Sequence, residues 1–177
     1  MKNKIILLAV VAVCSACCKK DERPAGTAYS VAHEENCKGT NEDEIKKLFD
    51  RWNDSLSKKP QDVVANYAVN STLLPTMFVP GVEGMLTNES QKKEYFKHFF
   101  EKLPEGRITD RQIYIGCNTA VDTGLYTFTL SSYKPPKEVQ ARYTFTYNWD
   151  GKLWLITSHH SSKMPEKDPP ASGVVPN

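Results

Sequence analysis

Between Arg142 and Trp149 polar and aromatic residues alternate without a break: Arg142, Thr144, Thr146 and Asn148 against Tyr143, Phe145, Tyr147 and Trp149. Successive side chains of an extended chain point to opposite faces, so this run reads as a strand with one face in a core. Asp150-Gly151 follows, the strongest short-range hairpin signal a sequence offers. The return run, Lys152 to Ser162, ends in His159-His160-Ser161-Ser162. A simple two-residue turn would set Arg142 opposite His159, and a bulge would shift it to face His160. In both registers an arginine and two histidines meet at one end of a hairpin, which makes that end the candidate site.

Upstream the apolar period is helical. Asn41 and Glu44 have capping-box spacing, and Ile45, Leu48, Phe49, Trp52 and Leu56 recur on one stripe over about four turns. Pro60 opens a second short helix through Val63, Val64 and Tyr67. Thr72 to Thr76 reads as a strand halted by Pro75. A third helix carries Tyr95, Phe96, Phe99, Phe100 and Leu103, and Pro104 and Gly106 stop it. The period then changes to alternation, with strands at Ile113–Cys117 and Leu125–Tyr133 joined through a turn at Asp122-Thr123-Gly124. Helices followed by antiparallel strands predict an α+β domain over residues 40–166. The expected form is a cone, a curved antiparallel sheet wrapped around the long N-terminal helix, with a pocket at its open end.

The ends read differently. Lys2 and Lys4 precede an apolar run, Ile5 to Val13, too short to span a bilayer, so residues 1–16 are expected to be a signal peptide. Cys14-Ser15-Ala16-Cys17 is similar to a bacterial lipobox, with Cys17 as the lipidated residue; cleavage after Ala16 to release a soluble protein is the alternative. Residues 17–39 then form a flexible tether and 167–177 a disordered tail. These expectations place the chain in a bacterial cell envelope, on the periplasmic side of the outer membrane or free in the periplasm or medium. Cys37 and Cys117 are left inside the body, to form one disulfide in an oxidising compartment or to stay as two buried thiols. No Cys-x-x-Cys pair survives there to hold a metal. The net charge of +2 and the lack of a basic patch give no reason to expect nucleic acid.

Taken in order, Trp52, Tyr67, Leu73-Leu74-Pro75-Thr76, Tyr95-Phe96, Gly124-Leu125-Tyr126-Thr127-Phe128, Ala141-Arg142-Tyr143-Thr144-Phe145, Trp154 and His159-His160-Ser161-Ser162 resemble bacterial relatives of the association (hub) domain of calcium/calmodulin-dependent protein kinase II. That group lies in the nuclear transport factor 2-like, or SnoaL-like, superfamily. The resemblance implies the cone fold and homo-oligomers, dimers or larger rings, formed through the outer face of the sheet. It also implies a pocket for a small molecule. With an export signal and no kinase domain, a part in kinase regulation is not expected.

The pocket is expected to draw on Trp52, Tyr67, Tyr126, Arg142, Tyr143 and His160. Arg142 offers a bidentate fork to a carboxylate, against the alternative of an ion pair with Asp122 or Glu138. His159 and His160 must point to opposite faces, and the resemblance favours His160 inward, where a neutral imidazole could serve as acid or base. The expected function is a binding and assembly module without a cofactor, touching the membrane through its lipid anchor alone. The alternative is a SnoaL-like isomerase, dehydratase or hydrolase using His160 and Arg142. No carboxylate is expected inside the cone, which counts against ketosteroid-isomerase chemistry.

Overall fold

The computed structural model describes residues 37–165. The predicted signal peptide, Cys17, the tether as far as residue 36 and the C-terminal tail lie outside the described residues. In chain order the elements are α1 (Glu42–Ser55), α2 (Pro60–Val64), β1 (Tyr67–Leu74), α3 (Glu89–Phe100), β2 (Pro104–Gly116), β3 (Thr119–Leu130), β4 (Lys137–Trp149) and β5 (Trp154–Lys163).

α1 forms where its stripe predicts. The Asn41 side chain accepts from the Glu44 amide at 2.9 Å, while the Glu44 carboxylate accepts from Thr40 Oγ1 at 2.7 Å instead of closing a capping box. Ile45, Leu48, Phe49 and Trp52 are buried. Trp52 and Phe49 meet Phe145 of β4 at ring-centroid distances of 5.4 and 6.2 Å. The helix therefore lies against the inward face of the alternating strand, and removing the Trp52 ring would cost about 3–5 kcal/mol.

The five strands form one sheet in the order β1-β5-β4-β3-β2. β2 to β5 are antiparallel neighbours, and β1 joins parallel to β5, so the sheet is mixed at that edge. Tyr67 belongs to this edge strand and not to the second helix, which ends at Val64. Pro104 and Gly106, expected to follow a helix as breakers, are already in β2.

Asp122-Thr123-Gly124 is not a turn. It lies inside β3, opposite Arg111 to Ile113, and the hairpin instead reverses at Cys117-Asn118, with Asn118 at φ 54°. Gly124 is needed where it stands. β2 bulges between Ile108 and Asp110, and a Cβ at 124 would sit 2.1 Å from the Asp110 carbonyl oxygen.

The hairpin between β4 and β5 turns through a four-residue loop, 150–153, since Trp149 pairs with Trp154. The Asp150 carboxylate holds it, accepting from the Lys152 and Leu153 amides, each at 2.8 Å. With a bulge between Thr146 and Tyr147, this loop sets Phe145 opposite His159, Thr144 opposite His160 and Arg142 opposite Ser162. Neither predicted partner of Arg142 is correct.

Cys37 and Cys117 are joined by a disulfide, and Lys38 donates its amide to Asn118 Oδ1 at 2.8 Å. The last residues of the predicted tether are thus fastened to the turn between β2 and β3.

Candidate functional site

Partners across antiparallel strands share a face, so the inward set of β4 determines the inward sets beside it. Tyr126, Phe128 and Leu130 on β3, Val139 and Ala141 on β4, and His159, Ser161 and Lys163 on β5 border one cavity of about 310 Å³. α1 closes it with Trp52, and α3 and the segment after β1 supply the remaining wall. That volume is at the lower end of the range of about 300–1,000 Å³ typical of small-molecule sites.

The walls are largely carbon, with polar atoms at a few places. Ser161 Oγ accepts from Tyr126 Oη and shares a hydrogen bond with Thr76 Oγ1. Burial pushes the Tyr126 hydroxyl well above its ordinary range, so it stays protonated.

Deeper, the Trp52 indole donates to Tyr67 Oη at 3.1 Å, and Tyr67 Oη lies 2.8 Å from His159 Nδ1. The phenol oxygen already receives one proton, so its own hydrogen is best placed on Nδ1. The single proton of the neutral imidazole then sits on Nε2. Burial, helped by the neighbouring His160, lowers this imidazole to about 3, so it is uncharged at neutral pH. His159 Nε2 has no hydrogen-bond partner among the described residues. A buried donor without an acceptor costs about 1–3 kcal/mol.

Of the residues expected in the pocket, Trp52 and Tyr126 line this cavity. Tyr67 stands behind it, holding Trp52 and His159. Arg142 and His160 do not face inward. They are exposed on the outer face of the sheet, in an open groove with Thr123, Thr144 and Ser162. Arg142 and Tyr143 are neighbours on one strand and cannot share a face. Arg142 Nε donates to Ser162 Oγ at 3.2 Å and forms no ion pair with Asp122 or Glu138. The inward imidazole is His159, because its partner across the sheet is the inward Phe145.

The ion pair belongs to Arg111. Its Nε donates to Asp122 Oδ1 at 3.1 Å, and Tyr143 Oη donates to the same oxygen at 2.7 Å. Arg111 Nη2 lies 3.1 Å from Oδ2 but out of hydrogen-bond alignment, so that contact is one of charge alone. Asp122 is fully buried, and burial raises its carboxyl above the ordinary range against the pull of Tyr143 and Arg111. A carboxylate does therefore stand inside the sheet, neutralised by an arginine and outside the set that lines the cavity. Among the described residues no cluster of three His, Cys, Asp or Glu side chains could hold a metal.

The profile of the calcium/calmodulin dependent protein kinase II association domain matches residues 41–165. No curated protein matches significantly. Among solved structures, a Xanthomonas campestris protein described by the same association domain is 39% identical, with a TM-score of 0.66 over 77% of this chain and 100% of that one. A nuclear transport factor 2-like superfamily protein from Salmonella enterica is 18% identical, with a TM-score of 0.58 over 74% of this chain and 95% of its own. A nuclear transport factor 2-like protein of unknown function from Pseudomonas putida is 14% identical, with a TM-score of 0.59 over 72% and 89%. The last two share the cone fold and nothing further. The profile spans nearly all of the described residues, and the chain belongs to the calcium/calmodulin-dependent protein kinase II association-domain family.

Proposed function

We propose that this chain is an exported cell-envelope protein, anchored through a lipidated Cys17, whose association domain self-associates and holds a small molecule inside the cone. It acts as a binding and assembly module. The observation that carries the binding half is the 310 Å³ inner cavity, bordered by a buried imidazole whose Nε2 lacks a partner. Family membership supports the assembly half. The outer sheet face suits a second copy, since Thr123, Thr144, Thr146 and Thr157 give it short side chains near partly buried Val121 and Leu125, with exposed Arg142 opposite Leu125 and His160 at one end. The apolar run before Cys17 and the disulfide both suit export to an oxidising compartment. An enzymatic reading on His160 and Arg142 loses support, because both lie on the opposite face from the cavity.

The test is native mass spectrometry of the full-chain product purified from a bacterial envelope fraction without added ligand, beside a Val139→Trp variant that fills the cavity. A dimer or larger ring carrying an extra small-molecule mass, absent from the variant, is the expected result. A bare monomer would overturn both halves, and an assembly with no bound mass in either protein would overturn the binding half.

A further inference from the structure

The inner wall of the cavity changes character along the strands. Lys137 opens β4 and is followed inward by Val139 and Ala141; Lys163 closes β5 and is followed inward by Ser161 and His159. Leu130, opposite Lys137, leads inward to Phe128 and Tyr126 on β3. Lys102, just past the end of α3, borders the same mouth. Lys102 and Lys137 thus stand at the Leu130 end of a largely hydrocarbon wall, Lys163 flanks it opposite Ala141, and the lining includes no carboxylate. None of the three has a carboxylate within ion-pair distance among the described residues. Lys137 lies over the Tyr133 ring, 5.7 Å from its centroid. Phe78 and Tyr133, which also line the cavity, remain 73% and 42% exposed, so the mouth is itself apolar between its charges.

Surface lysines ordinarily stand among carboxylates, and an apolar shaft ordinarily fills with side chains. We infer that the cavity receives a single-chain anionic amphiphile, its acid group drawn to Lys102 and Lys137 with Lys163 adding positive charge from the flank, and its hydrocarbon lying along Leu130, Val139, Ala141 and Phe128. At the deep end the His159 Nε2–H would donate to an oxygen function if the chain carries one. This inference rests on the binding half of the proposed function and names its ligand class. A free fatty acid and a single-chain phospholipid share the required chemistry.

The test is calorimetric titration of the full-chain protein with dodecanoate and with lauroyl lysophosphatidylglycerol, both below micelle formation. Dodecanol serves as the uncharged probe and Val139→Trp as the blocked cavity. Either anion should bind, and the tighter of the two identifies the source. Replacing the three lysines by glutamine should weaken the bound anion by about tenfold, the sum of three exposed charge contacts, and leave dodecanol unchanged. Added salt should weaken the anion alone. Equal loss for dodecanol and the anion in the lysine variant, or anion binding that survives Val139→Trp, would overturn the inference. Failure of every alkyl probe would overturn it as well. If the untreated protein still carried a different small molecule that Val139→Trp excludes, the binding function would stand and only the ligand class would fall.

Discussion

Replacing His159 with glutamine should change how stability depends on pH. The folded state holds this imidazole at about 3, with burial as the main cause, whereas an unfolded chain protonates it near its ordinary value of 6.5. Between those values the unfolded chain holds a proton that the folded chain refuses, so stability falls as the pH falls. The slope is about 1.4 kcal/mol for each pH unit. From pH 7.5 to pH 4.5 His159 alone therefore removes about 2.7 kcal/mol, a large share of the roughly 5–15 kcal/mol a domain possesses. Glutamine does not titrate. At pH 7.5 the variant should be the less stable, since it loses the ring stack on Phe145, 4.0 Å between centroids, and the bond to Tyr67. Urea unfolding followed by far-ultraviolet circular dichroism between pH 7.5 and 4.5 gives the difference between the two proteins, in which the shared carboxylates cancel. That difference should be level above pH 6.5 and shift in the variant's favour below it. Parallel curves throughout would show that the imidazole is hydrated or charged in the folded state, and the assignment of its buried neutral form would fall.

Two further perturbations probe the buried side of the sheet and its fastening. Arg111→Met leaves Asp122 buried without its counter-charge and should cost about 3–5 kcal/mol in urea unfolding at pH 7; adding Asp122→Asn should recover part of that loss, and a loss unchanged in the double variant would contradict the pairing. Replacing Cys37 and Cys117 with serine opens a cross-link spanning 80 positions and should lower stability by about 4 kcal/mol, while reductant should lower the parent to the same level. Free-thiol labelling that finds both cysteines reactive before reduction would contradict the bond.

What the sequence made legible was what local periodicity records. The stripe from Ile45 to Trp52 and the alternation from Tyr143 to Trp149 each state one burial pattern, and both are found as expected. Asp122-Thr123-Gly124 misled because its turn preference is local, while twelve residue pairs between β2 and β3 hold the segment extended. The site was misassigned for a related reason. Which of two adjacent histidines faces inward depends on register, and register here depends on a four-residue loop and a bulge that Asp150-Gly151 alone does not specify. Arg111 stands in a polar run, Asp110-Arg111-Gln112, with no pattern to mark it; only the alignment of β2 on β3 brings it to Asp122.

The place of β5 governs when the protein can become functional during its synthesis. Among the described residues it is the last strand made, yet it lies between β1, the first, and β4. β2, β3 and β4 can zip together as neighbouring hairpins while the chain is still emerging. β1 has no partner in the sheet until Trp154 to Lys163 arrives, and its edge stays unpaired until then. The same strand delivers His159, Ser161 and Lys163 to the cavity wall. The cavity wall is therefore complete only in chains extended through Lys163, and a truncation within this ten-residue strand removes the edge pairing and one wall of the cavity in one step.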